Sequence, residues 1–387
     1  MIVRAGILYD GTLAKARTNV HLHINDHRIS AITAAEGDFD LETACATPGL
    51  VNAHVHLEMS GEPDTMSFFL ESTVTQRMLY AVANAQATVR SGVTTVRDVG
   101  CSQAIAMELR DAVDAGRIEG PTVRAAGNVL CMTGGHGWFI GRAVDGPWDA
   151  VKGVREQRRK GADCIKLIAT GGVLSKGAVP GQSQLTQEEM FAAISEARRN
   201  NMPVTAHAIG TEGIKNALRA GVTSIEHGHL LDDEAIELFK SKGAYLVPTL
   251  AAPVCIVEHA REDMQPEFVK RKALELREQM VVNITRAYKA GVKIAGGSDA
   301  GTPHNYHDKY AYEVELMHTL LGMTPQEALH SATAIASQLI GAGSGTLLTG
   351  ELADVLLLDS DIADSVGTLA SPTTVIKNGR TAFQRTS

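Results

Sequence analysis

Residues 47–58 read TPGLVNAHVHLE. A short apolar run opens on Pro-Gly and carries two imidazoles two positions apart. Positions i and i+2 of a β-strand share one face, so His54 and His56 point the same way. Outward from this run the chain alternates short β-branched segments with longer amphipathic ones. The strand candidates are LVNAHVHL (50–57), VTTVRDV (93–99), TVRAAGNVL (122–130), DCIKLIA (163–169), PVTAHA (203–208), TSIEHG (223–228), AYLVPTL (244–250) and KIAGGSDA (293–300). Between them lie helical patterns over 102–116, 186–201, 212–221, 232–243 and 266–291, several opened by a capping residue and closed by Gly. Strand and helix alternating eight times predict an α/β fold, a (β/α)₈ TIM barrel over residues 49–344, with its active site at the C-terminal ends of the strands.

The flanks differ in texture. YDGT and INDHR near the start, and ADVLLLDSD and TTVIKNGRTAF near the end, read as hairpin material. Residues 1–48 and 345–387 are therefore expected to build one small β-sandwich domain, with the barrel as a long insertion. Long loops are expected over 171–186, 251–265 and 301–313, where loops of that length cover or form a site.

Composition narrows the partners. With 387 residues, 44% hydrophobic and 21% charged, the chain can bury a large core. A net charge of −8 argues against nucleic acid or an anionic membrane and for a small molecule. The first twenty residues have no basic segment followed by an apolar one, and no run of about 18 apolar residues occurs, so a cytoplasmic location is expected. Five scattered cysteines, mostly in apolar stretches, read as buried free thiols.

The polar residues at the C-terminal strand ends carry the chemistry. Strand one offers His54 and His56, strand four Lys166, strand five His207, strand six His227 and strand eight Asp299. One histidine inside an apolar strand is ordinarily a core residue, but a core has no reason to gather six such groups on one ring. Imidazole and carboxylate suit a divalent first-row metal, most often zinc. Lys166 lies in an apolar strand with no neighbouring acid in sequence, where burial strips its proton. A neutral lysine can add carbon dioxide, and the N6-carboxylysine formed is an anionic ligand able to bridge two Zn²⁺ ions. Two ions roughly 3.5–4 Å apart can share a hydroxide and polarise a carbonyl together. Asp299 is the general-base candidate, passing the hydroxide proton to a leaving amine. His136, in CMTGGHGWF, is the candidate donor to the oxyanion. Arg97 is expected to pair with Asp98, His229 to stand outside the metal shell, and His304 and His307 to be solvated loop residues beside the pocket.

TPGLVNAHVHLE, IKLIATGG, TAHAIG, SIEHGHLL and GGSDAGTPH, in that order and spacing, resemble the amidohydrolase superfamily, in particular its imidazolonepropionase-related branch with Xaa-Pro dipeptidase-like carboxypeptidases. The resemblance implies a binuclear centre with His54, His56 and Asp299 on one ion, His207 and His227 on the other, and carboxylated Lys166 between them. It assigns substrate contacts to His136 and to Tyr245, the latter at the substrate's carboxylate end, and implies a homo-oligomer. The expected activity is hydrolysis, by a metal-bridging hydroxide, of the amide bond in a small carboxylate-bearing molecule such as a dipeptide. The alternatives are hydrolysis of a cyclic amide or of a phosphotriester or aryl amide and, remotely, a noncatalytic scaffold, which would lack the ligands.

Overall fold

The computed structural model describes residues 1–260 and 266–386. All eight expected barrel strands form: Leu50–Val55, Val93–Asp98, Thr122–Ala125, Ile165–Ile168, Val204–Ala208, Ser224–His227, Tyr245–Val247 and Lys293–Ile294. Every pairing between neighbours is parallel.

Two strands depart from the expected ranges. Strand three breaks after Ala125 and resumes as Val129–Cys131, which pairs with strand four. The break falls at Gly127, whose φ is 71° and whose missing Cβ would lie 2.7 Å from the Gln157 amide oxygen. Strand eight is regular for two residues only. Beyond it, Gly296–Ala300 closes the barrel through single bonds to strand one: Ala53 N–H to Gly296 C=O at 3.0 Å, Asp299 N–H to His54 C=O at 2.9 Å and His56 N–H to Ala300 C=O at 2.9 Å. Asn52 reinforces this seam, donating to Ser298 Oγ at 2.8 Å while its own oxygen accepts from the Ser298 N–H at 3.1 Å. The ends of strands one and eight are thereby locked to each other, which fixes His54 against Asp299.

The helices follow their local signals. Thr186 caps Gln187–Arg199 in a reciprocal capping box with Glu189, and Thr211–Ala220 and Asp233–Lys242 end in left-handed Gly221 and Gly243. The segment expected as a loop over 251–265 is helical at Ala251–Glu258, because buried Glu313 accepts from the Leu250 and Ala251 N–H groups at 2.9 and 2.6 Å and satisfies that helix start; residues 261–265 of that loop lie outside the described residues.

Strands from both chain ends share one seven-stranded sheet, in the order 380–384, 374–377, 355–358, 41–48, 2–8, 17–25, 28–34. Two tight hairpins bound it, with left-handed Asp26–His27 and Asn378–Gly379 at their turns. The turns meet, His27 Nδ1 lying 2.7 Å from the Asn378 carbonyl, so the expected sandwich is one sheet curled over its own core of Val3, Leu22, Val355 and Leu357. All five cysteines are buried and free. No helix among the described residues is long and apolar enough to cross a membrane.

Candidate metal centre

The interior of such a barrel is ordinarily filled by branched apolar side chains. Here one level is polar. Fully buried Glu226 accepts from Arg97 Nη2 at 2.9 Å, from Ser224 Oγ at 2.8 Å and from Thr205 Oγ1, and its other oxygen lies 2.7 Å from His54 Nδ1. Burial alone would raise its carboxyl pKa, but the Arg97 guanidinium and His54 hold it well below the usual range. An ionised carboxylate only accepts, so His54 Nδ1 carries the proton and His54 Nε2 keeps a lone pair. The expected Arg97–Asp98 pair does not form. Consecutive strand residues face opposite sides, so Arg97 enters the barrel while Asp98 accepts from the Leu57 and Gly100 N–H groups at 2.8 and 3.1 Å.

The same arrangement recurs around the rim. His56 Nδ1 is 2.8 Å from the Gly100 carbonyl, which can only accept. His227 Nδ1 is 2.7 Å from Thr249 Oγ1, whose own proton goes to the Pro248 carbonyl at 2.8 Å. Each ring therefore turns an unprotonated Nε2 inward. Asp299 Oδ1 lies 3.2 Å from His54 Nε2 and 3.4 Å from His56 Nε2, and buried His207 Nε2 has no hydrogen-bond partner. Lone pairs facing one another across such distances repel unless positive charge lies among them. Burial would raise the Asp299 carboxyl, but His54 first and His56 second hold it well below the carboxylate range, so it faces the rings as an anion. Burial, with His136 and Lys166 nearby, keeps His207 neutral. The side chains thus fit a divalent cation at His54, His56 and Asp299.

His207 and His227 adjoin this triad. Their ring centroids are 4.5 Å apart, and His227 is 5.2 Å from His54. Lys166 is buried beside them without an ion pair among the described residues, and burial lowers its amine to about 8. Backbone strain helps aim the ring: His227, Thr249 and Asp299 have φ of 74°, 49° and 60°, a region costly for side chains with a Cβ, above all branched Thr249.

Above the ring opens a cavity of about 90 Å³, bounded by His54, His56, Lys166, His207, His227 and Asp299 on its floor. Val129, Ile168, Val173, Leu174, Pro253 and Ile256 supply much of its wall. His136 reaches it, its ring 4.5 Å from that of His207, its Nδ1 2.8 Å from Ser175 Oγ and its N–H bonded to Gln184 Oε1 at 3.0 Å. Burial lowers the His136 imidazole to about 4, so at neutral pH it is uncharged.

Three expectations change, while His229 stands outside the triad as expected. His229 lines the cavity, its ring 5.7 Å from that of His227. His304 and His307 are buried rather than solvated: His304 stacks on His259 at 4.2 Å, and His307 Nε2 is 3.0 Å from the Met59 carbonyl. Tyr245 does not reach the cavity. It starts strand seven, at the end of the barrel away from the rim, and packs with Val51, Ala53, Leu339 and Ile340 beneath Lys293. Tyr245→Phe is therefore expected to leave kcat/KM at the wild-type level. A fall of about tenfold, roughly what losing a hydrogen bond to a charged group produces, would put the phenol in the site.

Glu226, Thr249 and Ser175 are the functional residues that sequence reasoning misses. Glu226 alone carried a signal, an acid inside a barrel strand next to the ligand candidate His227.

The comparisons with known proteins agree with this chemistry. The amidohydrolase family model matches residues 45–382. Ochratoxinase of Aspergillus niger is 30% identical over 421 aligned positions, covering 97% of this chain and 84% of that protein. Imidazolonepropionase of Chromobacterium violaceum is 26% identical, covering 85% and 81%. The crystal structure of an Xaa-Pro dipeptidase with methionine bound in its active site superposes with a TM-score of 0.89 at 33% identity, covering 99% of both chains. With the model spanning most of its length and its rim carrying the expected imidazoles and carboxylate, the chain belongs to the amidohydrolase family.

Proposed function

We propose that the chain is a binuclear metal-dependent hydrolase of the amide bond in a small carboxylate-bearing substrate, an Xaa-Pro or other dipeptide. The observation that carries this reading is the set of inward lone pairs on His54, His56 and His227, each enforced by a bond on the opposite ring nitrogen. His54, His56 and Asp299 would hold one ion, His207 and His227 the other, and Lys166, as N6-carboxylysine, both. Zn²⁺ suits this donor set. Two such ions supply an acidified water and a polarised amide carbonyl.

The chain's own groups do the rest. Asp299, held ionised, accepts the nucleophile's proton and returns it to the leaving amine. Neutral His136 donates from Nε2 to the developing oxyanion when Ser175 Oγ–H bonds its Nδ1. The apolar wall favours a substrate with an apolar side chain and excludes water from the reacting bond.

The test is a panel of dipeptides varied at the C-terminal residue, assayed with zinc-loaded and chelated protein. Zinc-dependent cleavage of apolar members is expected; activity confined to cyclic amides or phosphotriesters, or untouched by chelation, would overturn the reading. Lys166→Met is expected to reduce bound metal from about two ions per chain to one or fewer, measured by elemental analysis. Full occupancy in that variant would remove lysine from the centre.

A further inference from the structure

We propose that Lys272 is a positioning residue: its ammonium ties helix Glu267–Lys289 to the loop after strand four and so holds Ser175 against His136. In sequence, VKRKALELRE belongs to the long helical pattern over 266–291. In the structure Lys272 is on the buried side of that helix, in register with Val269, Ala273 and Leu276. Its Nζ meets four backbone carbonyls of one loop, Ala178 at 2.7 Å, Ser175 at 3.0 Å, Val173 at 3.4 Å and Gly172 at 3.5 Å, and lies 5.2 Å from the Phe268 ring centroid. It makes no ion pair among the described residues. Carbonyl oxygens thus take the place of water around a buried cation, and a charge dissolved in this way gathers the loop about itself.

Besides Lys272, the loop is held by Val173 and Leu174 packing against Ile256, Val269 and Ala273 and by a turn bond from the Ala178 N–H to the Ser175 carbonyl at 3.3 Å. Its base is zipped by Gly171 N–H to Gln182 C=O at 2.8 Å and Gly181 N–H to Gly171 C=O at 3.0 Å, and the stretch between has no regular structure. Yet this stretch does three things at the cavity. Val173 and Leu174 form wall. Ser175, buried, bonds His136 Nδ1. Gly172 lies so close that a Cβ there would come 2.4 Å from His136 Nε2. The His136 ring is therefore gripped between Ser175 and Gly172, both of which offer their carbonyls to Lys272. The role of His136 rests on the amide-hydrolase reading above; the brace itself does not.

The experiment uses full-length, zinc-loaded protein and two readouts. The first is tryptic cleavage after Lys176, an exposed residue within the braced loop. Lys272→Met is expected to speed this cut by about tenfold to a hundredfold, the effect of losing hydrogen bonds to a charged group on a local opening, and Lys272→Arg, which keeps the charge, to recover most of the protection. The second is kcat on a cleaved dipeptide. Lys272→Met and Ser175→Ala are each expected to lower it with metal content unchanged, and the double variant to lose no more than the worse single one. Unchanged cleavage in Lys272→Met, or losses that multiply in the double variant, would overturn the proposal. If Lys272→Met does not fold, the wild-type chain decides: cutting at Lys176 as fast as in urea-unfolded chain also overturns it. A loop that opens as expected in a protein inactive on every amide would instead sink the amide-hydrolase reading and leave the brace standing.

Discussion

Asp299→Asn is expected to lower kcat/KM for amide hydrolysis by about 10³–10⁴-fold, the upper part of what one general acid–base group contributes, because in the proposed mechanism this carboxylate has two duties. It faces His54 Nε2 and His56 Nε2 at 3.2 and 3.4 Å, where it is the only anion of that triad. In the proposed mechanism it also carries the proton between nucleophile and leaving amine. An amide side chain of the same shape keeps the backbone seam, since the Asp299 N–H to His54 C=O bond is a main-chain contact. The variant should therefore fold as the wild type does, with unchanged circular dichroism, but bind the first ion weakly and turn over almost nothing. Activity within tenfold of wild type at full metal occupancy would remove Asp299 from the proton path.

Glu226→Ala is expected to destabilise the fold by about 3–5 kcal/mol, the usual result of removing one partner from a buried ion pair. The Arg97 guanidinium would stay at the barrel centre with its Ala53 carbonyl and Ser224 hydroxyl contacts, at 2.7 and 3.3 Å, and no counter-charge. The same change frees His54 Nδ1, so that the ring no longer presents a fixed lone pair inward and metal affinity falls by about 10–100-fold, as for other partners of ligating histidines. Denaturant unfolding of the chelated protein separates the two effects, since the stability loss must persist without metal. The Glu226→Gln variant keeps an acceptor for Arg97 and is expected to lose less. Equal stability of Glu226→Ala and wild type would show that water enters the barrel floor.

Much of this molecule was legible because its signals are local. Strand periodicity and glycine-terminated helices are set within a few residues, and they yielded eight barrel strands, two Asn- or Asp-containing hairpins and the rim positions of His54, His56, Lys166, His207, His227 and Asp299. The rule that barrel strands present their C-terminal ends to one face did the rest. Tyr245 was misplaced because a three-residue strand carries no mark of which end of it reaches the rim. His304 and His307 looked solvated because loop residues usually are, while here the loop folds under the first strand's extension.

By itself, then, the sequence determined the order of elements, the ring of imidazoles, lysine and carboxylate at the barrel rim, and the family. The tertiary structure decided which nitrogen of each ring faces the centre, which acid supports His54, and that a lysine on a charged helix is buried under the cavity-lining loop after strand four. The physical reason is distance along the chain: Glu226 lies 172 residues from His54, and Lys272 97 residues from Ser175. Hydrogen bonds of that span have no periodicity to announce them, and they exist only once the barrel has closed.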